Sequence, residues 1–157
     1  MQVHRILVPV DFSPCSRAAL EYAEDFAESL GASVDLLHVW AGLYHHALEA
    51  EPLALFAHSE LAKEMELLLG ELEQRGIPAH GRLEEGSPRE AIVRAAANGK
   101  YDLIIMGTHG RTGLAHLFLG SVAESVFRRA PCPVLTIRTP NAFVDAPPEK
   151  PRPEEHA

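Results

Sequence analysis

The chain has 157 residues, 46% hydrophobic and 23% charged. That is enough chain to bury a genuine core in one domain and is the composition of an ordinary globular protein. The formal net charge of −8 gives no basic surface for nucleic-acid phosphates, so no nucleic-acid partner is expected. No run of about 18 apolar residues is present, so no transmembrane helix is expected.

Met1 to Arg5 lead straight into Ile6-Leu7-Val8-Pro9-Val10, too short a run for a secretory segment and with no small-residue cleavage site after it. Cys15 and Cys132 are the two cysteines and make no disulfide framework. A reducing, cytoplasmic setting is expected.

Val3 to Val10 reads as a buried strand. Ser13 suits a helix N-cap and Pro14 the first helical position. The helix is expected to reach Leu30, with Leu20, Ala23, Phe26, Ala27 and Leu30 on one face, and Gly31 to stop it. Ser33 to Trp40 is the second strand, and a variable stretch from Ala41 to about Glu51 follows. A long helix then runs to Arg75, ended by Gly76 and Pro78. Its apolar stripe, Leu61, Met65, Leu68, Leu69 and Leu72, reads as core. Ala79 to Glu84 is a more polar strand, expected at a sheet edge. Ser87-Pro88-Arg89-Glu90 predicts a capping box, opening a helix that ends near Asn98-Gly99. Asp102 to Met106 is a buried strand, Gly107 to Gly120 a glycine-rich segment, Ser121 to Arg129 the last helix and Pro133 to Arg138 the last strand. Residues 1–139 form the domain. The Pro-, Glu- and Lys-rich tail, 140–157, is expected to be disordered.

This β-α alternation predicts an α/β fold. Five parallel strands in the order 3-2-1-4-5 carry helices on both faces, joined by right-handed crossovers. The order reverses between strands one and four. Ligands of open α/β sheets bind there, beyond the strand C-termini. Two loops meet at that point, 9–13 and 107–121.

The segment Gly107 to Gly120 is more than twice as long as the usual connection of about 2–6 residues. Gly107, Gly110 and Gly120 allow close backbone approach to a ligand or a positive φ. Ser121 opens a helix whose free N–H groups and dipole favour an anion. The same residue, with Glu124, also fits a capping box. An acidic chain must hold a polyanion locally, and this is a phosphate cradle built from backbone. The loop has no lysine, and Arg111 is its fixed cation. No Walker P-loop and no Gly-x-Gly-x-x-Gly after the first strand are present. Poor charge neutralisation argues against fast phosphoryl transfer.

The spacing Gly107-x-x-Gly110, nine residues, then Gly120-Ser121 resembles the nucleotide-binding signature of the universal stress protein (UspA-like) family, in its ATP-binding subgroup. The resemblance covers Val3 to Arg138. It takes in Ile6 to Ser13, Leu36-Leu37-His38-Val39, Gly86-Ser87-Pro88, Asp102 to Gly107 and Pro131-Cys132-Pro133-Val134. It implies a Rossmann-like, adenine nucleotide alpha-hydrolase-like fold and ATP as ligand, with Mg²⁺. By the same resemblance Val39 holds the adenine through its backbone, and Pro9, Val10 and Asp11 flank the ribose and inner phosphates. Met106 and Gly107 line the ribose side, while Gly110, Gly120, Ser121 and Val122 hold phosphates. Ala123 replaces a hydroxyl found in relatives.

At the switch point Asp11 is expected to bond the ribose or to hold Mg²⁺ through water. Cys15 is expected simply to pack. His45, His46 and His58 lack metal-ligand spacing, and His109 lies inside the phosphate loop. No His-x-x-His near strand one and no Ser-Gly-Gly pyrophosphatase loop is found. The expected function is a nucleotide-dependent regulatory or stress-response module with slow or absent hydrolysis. A weak ATPase or other ATP-using enzyme, and a dimerisation module with a vestigial site, are the alternatives. The family resemblance also implies a homodimer through the apolar last strand, an edge that needs covering. A charge at Ile137 is expected to disrupt it.

Overall fold

The computed structural model describes residues 2–40, 51–108 and 119–139, and of 51–57 the backbone alone. The elements are β1 (Arg5–Pro9), α1 (Pro14–Leu30), β2 (Ser33–Trp40), α2 (Glu51–Gln74), β3 (Ala79–Glu85), α3 (Pro88–Gly99), β4 (Leu103–Gly107), α4 (Ser121–Arg129) and β5 (Val134–Ile137). The sheet order is β3-β2-β1-β4-β5, every pair parallel, as the alternation predicts. The expected tail and the variable stretch 41–50 lie outside the described residues.

Strand alternation sorts the core into two layers. Ile6, Val8, Val34, Leu36 and Ile105 face α1 and α2, packed with Leu20, Ala23, Met65 and Leu72. Leu7, Leu37, Ile104 and Met106 face α3 and α4, packed with Ile92, Ala96, Ala123 and Val126. Each Val, Leu, Ile or Met among them, fully buried, contributes about 1.5–3 kcal/mol of transfer free energy. β3 is an edge strand, half-exposed along its length, which accounts for its polar sequence.

Several boundaries differ from the sequence reading. β1 starts at Arg5 rather than Val3, because the N–H groups of His4 and Arg5 are taken by Asp102 Oδ2 at 2.8 and 2.9 Å. For the same reason Asp102 precedes β4 rather than opening it. On α1, Phe26 and Leu30 are exposed. The buried face is centred instead on Ser16, Ala19, Leu20, Ala23, Glu24 and Ala27. The expected side with Phe26 and Leu30 is rotated from this face. The true one turns Glu24 and Arg17 towards α2, where they pair with Arg75 and Glu71. Ser87 caps α3 without a side-chain bond, so that capping box does not form. Its carbonyl alone accepts the Glu90 and Ala91 N–H groups.

At the opposite end of the sheet from the strand C-termini, Asp35 receives Arg5 Nη2 at 2.7 Å and the Tyr101 hydroxyl at 2.5 Å. Burial first, and the Asp35 bond second, push the Tyr101 hydroxyl up to about 12. Asp102 is held below the ordinary carboxylate value by its two backbone donors. A lowered folded-state value stabilises the fold fully above about 3.8, the ordinary aspartate value, and that contribution is lost as the pH falls through the folded value beneath it. Asp102→Asn should therefore lower the thermal midpoint at pH 7, and the gap should close in strong acid, read by calorimetry across pH.

Candidate functional site

The C-terminal ends of β1, β2 and β4 form the site, and its shape follows from where β1 stops pairing. Pro9 has no N–H, and its backbone is turned to the β4 side by the alternation that leaves Val10 N–H on Leu37 O at 2.9 Å. The β1–β4 register accordingly stops at Leu7↔Ile104. β4 continues to Gly107. Ile104 and Thr108 N–H bond β5 carbonyls, so the backbone of Gly107 faces the β1 side, where no strand continues.

β2 runs on in the same way. Leu37 O faces β1 and Trp40 O faces β3, where it accepts from Gly86 N–H at 2.9 Å. By alternation Val39 turns its N–H and C=O towards β1, two residues beyond the last β1 register pair, Pro9↔Leu37. A donor and an acceptor stand side by side at the crevice.

The β1–α1 turn closes one wall. Asp11 Oδ1 accepts from Ser13 N–H at 3.1 Å and from Ser13 Oγ at 2.5 Å. Asp11 N–H reaches Ser16 Oγ at 3.3 Å. Phe12 has a positive φ of 61°, costly for a bulky side chain, and its ring lies 4.7 Å from that of His38. His38 is buried and its Nδ1 lies 2.8 Å from Val10 O.

Two helices point their N-termini here, and they differ. α1 is closed by its own side chain. Pro14 brings no N–H, Ser16 N–H is taken by Ser13 Oγ at 3.2 Å, and Arg17 N–H by Ser13 O at 2.9 Å. α4 is capped by Gly120, with no side-chain cap. Glu124 N–H closes on Gly120 O at 2.9 Å, so the N–H groups of Ser121, Val122 and Ala123 have no carbonyl behind them in the helix. The expected Ser121–Glu124 capping box is absent, because Ser121 is the first helical residue rather than the cap. The Glu124 carboxylate leans the other way, onto Arg128 at 3.1 Å, leaving the pole electropositive. The start of α4 is pinned to the sheet by Gly120 N–H on Thr108 O at 2.8 Å, while Thr108 N–H binds Ile137 O at 2.9 Å.

The candidate residues fall into three groups. Asp11, Val39, Gly107, Gly120, Ser121 and Val122 lie around the crevice, as Pro9 does at the end of β1. Val10 and Met106 are in the core. Both backbone groups of Val10 are engaged by β2, and Met106 is turned to β5, so each places its neighbour. Gly110, His109 and Arg111 lie outside the described residues.

Gly107 has no positive φ. Its missing side chain makes room for α1, since a Cβ would sit 2.9 Å from Cys15 Sγ and 3.0 Å from the Cys15 carbonyl carbon and oxygen. Gly120, at φ −57° and ψ 148°, likewise needs no glycine for conformation. Cys15 packs as expected, buried and with Sγ 3.5 Å from Ile137 O. Sequence reasoning missed His38 and Phe12. A polar residue on the inward face of a buried strand was the one signal for the histidine.

These features define a doubly wound α/β protein whose switch-point crevice is lined by backbone donors. The chain belongs to the universal stress protein family, whose model matches residues 2–138. It is 37% identical over 141 residues to universal stress protein MJ0531 of Methanocaldococcus jannaschii, covering 87% of this chain and 82% of the relative. Universal stress protein MJ0577 of the same organism is 34% identical over 156 residues, covering 88% and 96%. The solved structure of MJ0577 superposes with a TM-score of 0.76 at 33% identity, over 90% of this chain and 100% of that one. The universal stress protein of Archaeoglobus fulgidus in complex with dAMP shares the fold, with a TM-score of 0.63, 24% identity and coverage of 87% and 99%.

Gly107→Ala should destabilise the fold by about 1–3 kcal/mol through overpacking, measured by urea unfolding. Adding Cys15→Ala should restore part of this, because the backbone contacts of residue 15 remain.

Proposed function

We propose that this protein binds an adenine nucleotide, ATP foremost, across the C-terminal ends of β1, β2 and β4. It acts as a nucleotide-dependent regulatory module of the cytoplasm, with hydrolysis slow or absent. The observation that carries the reading is the glycine-capped N-terminus of α4. In a chain of net charge −8, three N–H groups without a partner among the described residues and a helix dipole supply the anion site that no lysine provides. The dAMP complex of the Archaeoglobus relative supports an adenine nucleotide as the occupant.

In this reading Val39 meets the adenine edge with its N–H and C=O. Asp11, beside Pro9 and Val10, flanks the ribose, with Met106 and Gly107 on its other side. Gly110, Gly120, Ser121 and Val122 take the phosphates. Among the described residues no three His, Cys, Asp or Glu side chains converge on a metal position. Mg²⁺ would thus ride on the phosphates and water, with Asp11 as the nearby carboxylate. Residues 1–139 form the binding unit.

Calorimetry with ATP, ADP, AMP and GTP tests the reading. ATP should bind and GTP should bind worse, and no ATP binding with Mg²⁺ present would end it. Gly120→Val should abolish binding through bulk at the helix pole, with the fold intact by circular dichroism. Arg111→Ala should weaken binding little, since an exposed charge contact contributes about 1 kcal/mol or less. Ser121→Ala should fall between. Arg111→Ala as the most damaging change, with Gly120→Val still binding, would contradict a backbone cradle.

The second part of the proposal is a homodimer through β5. Ile137 is the wrong probe, being buried beneath α1, so lysine there would unfold the strand. Pro133, Leu135 and Ile137 turn their backbones to β4, as Ile104 N–H on Pro133 O and Thr108 N–H on Ile137 O require. Val134 and Thr136 therefore present theirs at the open edge. Thr136→Pro removes an outward N–H without touching the β4 ladder. Light scattering should show a dimer in the parent protein and a shift towards monomer in the variant. A monomeric parent would remove the idea.

A further inference from the structure

We infer that His38 is a positioning residue of the nucleotide site, whose imidazole keeps the Val39 backbone edge open for a ligand. The inference rests on the proposed reading of Val39 as the adenine contact, and it explains how that edge comes to be available.

The argument starts from the ladder. In a parallel pair, Val10 N–H on Leu37 O is normally followed by Val39 N–H on the Val10 carbonyl. Here the Val10 carbonyl takes its hydrogen bond from His38 Nδ1, at 2.8 Å. A carbonyl only accepts, so the ring hydrogen sits on Nδ1. The side chain of one β2 residue thus replaces the main-chain donor of the next. The following ladder bond, from Phe12 N–H to Val39 O, is lost as well. Phe12 at φ 61° turns the chain away from β2, with its ring against His38 at 4.7 Å. Both partners are buried or half-buried against the α1/α2 core, which holds the positive φ in place. One imidazole satisfies the end of β1, supports the strained residue after it, and leaves the Val39 N–H and C=O facing the crevice.

The test separates the donor from the ring. In His38→Asn the amide nitrogen stands where Nδ1 stood, while His38→Phe keeps a ring and loses the donor. Amide hydrogen exchange of Val39 is followed without nucleotide, and ATP affinity is measured by calorimetry. In His38→Phe the Val10 carbonyl should recruit Val39 N–H. Exchange at Val39 should then slow by about tenfold and ATP affinity fall by about tenfold, the scale of one hydrogen bond. His38→Asn should remain near the parent in both. The inference is overturned if Val39 exchange is unchanged in His38→Phe, if ATP affinity is unchanged despite slower exchange, or if His38→Asn is as impaired as His38→Phe. If His38→Phe fails to fold by circular dichroism, His38→Gln replaces it, its amide being carried one bond too far out, with the same outcomes. A parent protein that binds no adenine nucleotide would defeat the proposed function and the ligand half of this inference. Unchanged Val39 exchange would defeat the histidine's role alone.

Discussion

The early end of β1 is the constraint on which the site depends. A central strand that paired fully with both neighbours would seal the sheet from end to end. Pro9 withholds a donor from β4, and the chain turns off at Phe12 before β2 is exhausted. The neighbours run on to Trp40 and Gly107, so their inner backbone edges border a gap rather than a strand. The reversal of strand order at β1 places that gap where the two halves of the sheet diverge. Little side-chain chemistry is needed to make it a binding crevice, because the peptide groups already point into it.

The two helix N-termini divide the work at this gap. Ser13 closes α1, and the Asp11–Ser13–Ser16 bonds tie the β1–α1 connection together as one wall. Gly120 leaves α4 open. The difference shows in the cap residue, Ser13 for α1 against Gly120 for α4. A capped pole has met its own hydrogen-bonding needs, and an uncapped one requires an outside partner, water or anion. The sequence reading put the cap one residue late, on Ser121. The structure moves it to Gly120 and so frees both the Ser121 hydroxyl and the Glu124 carboxylate from a capping role.

Much of the fold was legible because each β-α unit carries its own punctuation. Pro14, Gly31, Gly76 and Pro88 mark helix ends, and apolar runs mark buried strands. The switch point was legible from the expected strand order. What escaped the sequence depends on tertiary placement. The bond from His38 to the Val10 carbonyl depends on β2 passing beside the end of β1, and no spacing announces the positive φ of Phe12. The face of α1 was misjudged because Phe26 and Leu30 are more apolar than Ser16 and Glu24, which are buried all the same by bonds to Ser13 and Arg75. Gly107 has a reason to be glycine that the sequence does not show, the close passage of Cys15.

Thr108 holds β5 with its N–H and the start of α4 with its carbonyl. The start of α4 is therefore tied to both β4 and β5 through one residue. Leu119, packed against the core beneath α3 and α4, adds a second hold just before the cap. The position of the α4 pole is thus set by the strand ends beneath it, through main-chain hydrogen bonds that any side chain at 108 other than proline would leave in place.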